Sequence, residues 1–572
     1  MKIFLHYTIS FFFLFSCKEE LKHSKNTENK FSLDTTISIR TAKNKKLTDS
    51  EKMTWLENDA IEDTIPGISL KKAYKFLEQR EPKDTIIVAV LDSPVDIEHE
   101  DFKGQIWVNK DEVPDNNIDD DANGYIDDIN GWNFLGDNQG KQDTFFLYES
   151  TRILKKYQEL FGGMTKDKDK IENPRLFELY STAKKRHEIE TKEAIEDTAY
   201  ANMLIDISKN ARKTLSFYFP EHEYTLESLD SLKKVYPKDT LLQVDILRMS
   251  NFIKYNFTEK YIHDYKLKAD AKINKLLNLE YNDRLTRGDD PENPFDYNYG
   301  NGIVNQNIDF YSHGTIVSGV IGARRNNNLG IDGVAKVIKL MPVCISAFGE
   351  EHDKDLALGI RYAVDNGARV INMSIGKKLS MNKKWVDEAI QYAEKKNVLV
   401  VSSAGNEHRE LNGTNEYPTD SREDSTEISH NFIHVGASSY MMNEKLVAPF
   451  SNYSKSFVDI FAPGSEIYTL HPHNKYVFDS GTSLSAAVVS GVAALIMIYY
   501  PELSGSQVKE ILMKSGTSYS FNTEIKQRDG TKKTVSFSEL SKSGKVINAY
   551  NALLMAESIS QQHEVGKEIN SR

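Results

Sequence analysis

An α/β fold built on a parallel sheet, with helices on both faces and an inserted α-helical subdomain, is what this sequence predicts, and three observations predict it. Short unbroken apolar runs recur in "TIIVAVLDS", "VIKLMPVCI", "ARVINMSI" and "NVLVVSSAGN". Such runs suit strands covered on both faces, as in parallel sheets. Stretches of helical spacing separate them, and strand–helix alternation sets the fold class. Residues 141–300 break this rhythm, being dense in Lys, Glu, Tyr and Leu at helical spacing and poor in Gly. They read as a helical insertion, since no heptad persists long enough for a coiled coil.

The chain opens "MKIFLHYTISFFFLFSCKEE". One lysine and a short apolar run make residues 1–16 a secretory signal, because a spanning helix needs about 18 apolar residues or more. Leu14-Phe15-Ser16-Cys17 resembles a bacterial lipoprotein box, which implies lipidation of Cys17 and an outer-membrane anchor on the periplasmic side or at the cell surface. An ordinary cleaved signal or a retained anchor is the alternative. Residues 17–50 are polar without periodicity and read as a flexible tether. A catalytic domain follows in two parts, 51–140 and 301–560, with order starting near Trp55 and two closing helices beyond residue 500. A polar tail, 561–572, ends the chain.

Composition excludes some functions. With 39% hydrophobic and 27% charged residues and a mean hydropathy of −0.51, this is not a membrane bundle. A net charge of −12 and a pI near 5.7 leave no basic face for nucleic acid. There are two cysteines, Cys17 and Cys344. Lipidation of the first leaves no intramolecular disulfide, and Cys344, in "LMPVCI", reads as core.

Three polar residues stand at element ends: Asp92 after a buried strand, His313 opening the small-residue helix "HGTIVSGVIGA", and Ser483 opening "SLSAAVVSGVAAL". Each alone reads as a turn residue or helix cap. Taken with "VVSSAGNEH", "GIDGVAKVIKLMPV" and "APFSNYSKSFVDIFAPGSEIYT", they resemble the subtilisin-like serine protease family, the subtilases, whose catalytic order is Asp, His, Ser. The resemblance covers both parts of the predicted domain. It implies that Asp92 orients an imidazole, His313 serves as general base and Ser483 as nucleophile. Asn406 and the Ser483 N–H would then hold the oxyanion. It further implies a substrate strand at Ser374-Ile375-Gly376, with Glu416 at the floor of the primary pocket and Glu407 at its rim. Two carboxylates there would favour Lys or Arg before the scissile bond; solvated loop acids are the alternative. Three positions depart from the family pattern: Pro94 replaces a Gly, Leu484 a Met and Ala487 a Pro.

In "DNNIDDDANGYIDDINGW", Asp119, Asp121, Asn123, the Tyr125 carbonyl and Asp127 have the spacing of a calcium loop, although Asn130 stands where an EF-hand has Glu. Structural Ca²⁺ and a hydrogen-bonded Asx-rich turn are the two readings. The insertion lies between Asp92 and His313, so it is expected beside the active site as a lid, exosite or partner-binding arm, or as padding. Its "RGD" at 287–289 reads as accidental. The expected protein is a monomeric, membrane-tethered serine endopeptidase acting on proteins or peptides. A catalytically silent surface module that binds peptides or a partner protein is the rival.

Overall fold

The computed structural model describes residues 36–37, 46–164, 172–413, 416–422, 424–526 and 531–570; Cys17 and the predicted signal lie outside them. Its frame is the strand Ile86–Asp92, buried from Val88 to Asp92, with Ile338–Cys344 on one side and Val370–Met373 on the other. Among the described residues ten strands form one sheet. Its spatial order is Thr36–Ile37, Thr517–Tyr519, Lys545–Val546, Ile460–Pro463, Phe432–Ser438, Leu399–Ser403, Val370–Met373, Ile86–Asp92, Ile338–Cys344, Trp132–Asn133. From Trp132–Asn133 across to Lys545–Val546 every neighbouring pair is parallel.

Alternate residues of the central strand feed two cores, which is why its apolar run is unbroken. Val88 and Val90 pack under the helices His313–Gly322 and Thr482–Tyr499. Ala89 and Leu91 pack under Asp353–Asp365 and Lys383–Lys395 on the opposite face. Thr482–Tyr499 is the only described helix long and apolar enough to cross a membrane, and it is the central core helix, 89% buried.

Several expectations are corrected. Thr36–Ile37, inside the predicted tether, pairs with Ser518 and Tyr519, and the helix Asp49–Lys52 starts on a Thr48 capping box before the predicted domain start. The predicted tail is helical as far as Asn570, since a proline-free run lets the helix propagate from its packed start. Phe432–Ser438 and Ile460–Pro463 complete the sheet without a clear sequence signal, the first being interrupted by His434 and Gly436.

The insertion contains the helices Glu149–Phe161, Pro174–Leu215, Leu226–Val235, Thr240–Lys254 and Glu259–Ala271. Leu215, Leu229, Leu242 and Ile246 belong to a small core of its own. Residues 277–300 are irregular rather than helical, and their charges turn inward. Asp355 accepts from Arg284 at 2.8 Å, Arg287 at 2.6 Å and the Tyr299 hydroxyl at 2.7 Å. Asp289 pairs with Arg284 and Lys354, both at 2.6 Å. The "RGD" triplet is therefore part of a buried ion-pair network. Two guanidinium groups hold the Asp355 carboxyl far below the ordinary carboxylate range, overcoming burial.

Removing one member of such a network strands buried charge. Asp355→Ala is expected to cost about 3–5 kcal/mol in urea unfolding. Asp230→Ala, which breaks the exposed pair with Lys234, should leave the urea midpoint almost unchanged.

Candidate active site

Asp92 ends the central strand at the sheet's carboxyl edge. Its Oδ1 accepts the Ser93 N–H at 2.7 Å, while the Ser93 hydroxyl accepts the Gly314 N–H at 3.0 Å and so ties this turn to the start of the His313 helix. His313 Nδ1 lies 2.8 and 3.0 Å from the two Asp92 oxygens. A carboxylate facing Nδ1 places the ring proton there and leaves Nε2 as the basic nitrogen. The Asp92 side chain is 1% exposed and that of His313 43%, so the carboxylate is fixed and the imidazole edge is open to the cleft. Burial alone would lower the His313 pKa. Asp92, by charge and hydrogen bond, with smaller help from Asp479 and Glu351, holds it above the ordinary 6.5.

Ser483 is the second residue of the helix Thr482–Tyr499 and is only half-buried, whereas Leu484–Ile498 are buried throughout. Its hydroxyl donates to the Ser374 carbonyl at 3.2 Å in this rotamer, and not to His313. Ser374 returns the contact, its hydroxyl donating to the Ser483 carbonyl at 2.8 Å. The other serines of the helix bond into the core: Ser485 to the Ala462 carbonyl at 3.0 Å and Ser490 to Asn372 at 2.9 Å. Asn406 is fixed through its oxygen, which accepts from the Thr482 N–H at 2.9 Å and hydroxyl at 3.0 Å. Its amide nitrogen is left for another acceptor. A Cβ placed on Gly481 would lie 3.7 Å from both Asn406 Nδ2 and Ser483 N, so the two donors serve one small volume. Gly405 reaches this turn with φ of +92°, a backbone region that favours glycine.

Ser374, Ile375 and Gly376 continue past the sheet strand Val370–Met373, and Lys377 beyond them exchanges two 2.9 Å backbone hydrogen bonds with Tyr417. Glu416 stands behind this stretch: a Cβ on Gly376 would lie 2.8 Å from Glu416 Oε1. Its expected role needs correction. Glu416 Oε2 is held by Lys378 and Arg409, each at 2.6 Å, and Lys378 also pairs with Glu407 at 2.8 Å. The two acids are already neutralised by two cations of the chain, so the pocket offers no unpaired carboxylate for a substrate Lys or Arg. Sequence reasoning passed over Lys378 and Arg409 because nothing in "IGKK" or "NEHRE" shows that they fold toward the same acid.

The acidic loop also differs from its expected ligand set. Carboxylate oxygens of Glu112, Asp119 and Asp121 lie within 4.8 Å of one another. Asp127 is turned away, its oxygens accepting the N–H groups of Asn116 at 3.3 Å and Asn117 at 3.0 Å. The Asn123 oxygen is used by the Tyr125 N–H at 2.7 Å. Glu112 precedes the motif and carries no signal in its spacing.

The subtilase family model matches residues 83–536. The chain belongs to the subtilase family. It is 34% identical over 225 residues to the cell wall-associated protease of Bacillus subtilis (strain 168), covering 39% of this chain and 23% of that one. To subtilisin DY of Bacillus licheniformis it is 33% identical over 214 residues, 37% of this chain and 73% of the relative. To the thermophilic serine proteinase of Bacillus sp. (strain AK1) it is 36% identical over 190 residues, 33% and 43% of the two chains. The chain thus spans less than half the length of the first and third of these relatives. A solved protease structure from Pseudoalteromonas arctica PAMC 21717 aligns with TM-score 0.35 at 27% identity, covering 43% of this chain and 70% of that one.

This subtilase absorbs two of its three departures from the family pattern. The helix Thr482–Tyr499 runs unbroken through fully buried Ala487, so the N–H gained there lies within a regular helix. Leu484 is buried in the main core.

NMR titration of the His313 ring is expected to give a midpoint above 6.5 in the wild type. In Asp92→Asn, where burial acts without the anion, it should fall below 6.5.

Proposed function

We propose that this subtilase is a serine endopeptidase acting on proteins or peptides, with Asp92, His313, Ser483 and Asn406 in the roles that the family motif implies. The observation that carries the reading is a buried Asp92 bonded to His313 Nδ1, beside a cavity that Ser374 also lines, with half-buried Ser483 bonded to the same Ser374 and the Asn406 amide nitrogen left over beside Gly481. For turnover the Ser483 hydroxyl swings from the Ser374 carbonyl toward His313 Nε2. It attacks the scissile carbonyl carbon and His313 takes its proton. The oxygen becomes an oxyanion held by Asn406 Nδ2 and the Ser483 N–H. On collapse the C–N bond breaks and His313 returns the proton to the leaving amine. Water, deprotonated by the same imidazole, then cleaves the acyl ester and restores Ser483. Asp92 stays ionised and stabilises each imidazolium. Ser374, Ile375 and Gly376 offer an extended backbone for pairing with substrate.

The reading extends to a structural divalent cation at the acidic loop, motivated by the spacing of residues 119–127; the alternative is an Asx-rich turn, in which Glu112, Asp119 and Asp121 accept the loop's own N–H groups. Oxygen donors of this type suit a hard ion such as Ca²⁺, whose part there would be structural. It also includes lipidation of Cys17 and an outer-membrane anchor, supported by the character of residues 1–17.

A fluorophosphonate probe should label the wild type at Ser483 and leave Ser483→Ala unlabelled. Absence of labelling in wild type would favour the silent peptide-binding module. Asn406→Ala should keep labelling detectable while kcat falls about 10²–10³-fold. EDTA should lower the thermal midpoint; an unchanged melting curve would remove the cation from the scheme.

A further inference from the structure

We propose that Lys268, contributed by the helical insertion, makes this enzyme select an acidic side chain at the second substrate residue before the scissile bond. The inference rests on the peptidase reading above. A cavity of about 250 Å³ opens beside His313 without Glu416 in its wall, and Lys268 forms part of that wall together with Phe310, Phe348 and Glu351. Lys268 lies on the helix Glu259–Ala271, so the insertion reaches into the catalytic cleft. Its ammonium is held 4.9 Å from the centre of the Phe310 ring and 5.7 Å from that of Phe348. No carboxylate among the described residues approaches it within ion-pair distance. The nearest acid on its own helix face, Asp264, is paired with Lys260 at 2.9 Å. Burial lowers the Lys268 pKa, against a smaller opposing pull from Asp264, so a carboxylate brought to it would stabilise its charged form.

The other charges facing the cavity are committed. Asp92 serves His313 and Ser93. Glu351 accepts the Ser346 hydroxyl at 2.7 Å, and burial beside Asp92 raises its pKa, disfavouring its charged form. Lys268 is the one lysine or arginine lining the space.

Chain geometry assigns the substrate position. In an extended peptide paired with 374–376, successive side chains point to opposite sides. With the primary pocket expected at Gly376 and Glu416, the residue before it would take the other side of the strand, and the cavity lined by Ser374, Ile375, His313 and Lys268 is the space available to it there. A carboxylate entering there meets a partly desolvated ammonium, where charge-assisted hydrogen bonds are stronger than in water.

The test uses the full-length protein and quenched peptides identical except for Glu, Gln or Lys at that position. The wild type should cleave the Glu peptide with a kcat/KM at least about tenfold above Gln, and the ratio should shrink as NaCl rises. Lys268→Met should bring the ratio near one, Lys268→Arg should retain it, and Lys268→Glu should place Lys first. A wild-type ratio near one overturns the proposal, as does a ratio that survives Lys268→Met; a wild-type preference for Lys overturns it too and gives the site to Glu351. Fluorophosphonate labelling of the wild type separates the two readings: labelling and cleavage without Glu preference defeat this inference alone, while no labelling and no cleavage defeat the peptidase reading and this one with it.

Discussion

The catalytic face depends on one contact, the hydrogen bond between Asp92 and His313, which are 221 positions apart in the chain. A buried carboxylate at the end of a central strand must be compensated. His313, Ser93 and the turn to Gly314 supply the compensation here. The inserted helices fall between Asp92 and His313 in the chain, and Lys268 on one of them lines the same cavity as His313. The position of the insertion is thus a consequence of where the chain is interrupted. The helix Thr482–Tyr499 is then seated by the chain Ser490, Asn372, Ser374 and Ser483, which sets the serine against the end of Val370–Met373, the strand next to that of Asp92.

Buried charge joins the insertion to the sheet. Arg152, on the first inserted helix, donates to the carbonyls of Glu350 and Glu351, both at 2.9 Å, beside the cleft. Lys377, next to the substrate strand, pairs with Asp353 at 2.8 Å and with Glu149 of the insertion at 3.3 Å. Desolvation makes such pairs costly to assemble and more costly to break singly, so the network fixes orientation more than it adds stability. An insertion held in this way is poorly suited to swing freely. Its contribution at the cleft is a placed side chain.

The two sides of the cleft treat charge differently. Around Glu416 the acids are matched by Lys378 and Arg409, and the pocket is electrostatically closed. Around His313 the insertion leaves an ammonium over aromatic rings without a carboxylate partner. Charge balance at atomic separation, and not the count of acidic residues in a loop, determines what each pocket attracts.

Much of this was legible in the sequence. Four apolar runs are strands, the described part of 149–276 is largely helical, and Asp92, His313 and Ser483 stand at element ends, where the resemblance to the subtilases gives them and Asn406 their expected roles. The elements that escaped are those whose pattern is weak or interrupted, such as Phe432–Ser438 with His434 and Gly436 inside it and the short strands after residue 515. By itself the sequence determined four strands of the sheet and the covering of both its faces, since periodicity is a property of contiguous residues, and its motifs implied the four candidate catalytic groups through family resemblance. Tertiary structure alone decided that Glu416 is neutralised, that Glu112 replaces Asp127 in the acidic cluster, that 277–300 folds inward on its charges, and that Lys268 reaches the cleft. Each of these depends on which distant charge lies within a few ångströms, and Coulomb attraction acts across space without regard to separation along the chain.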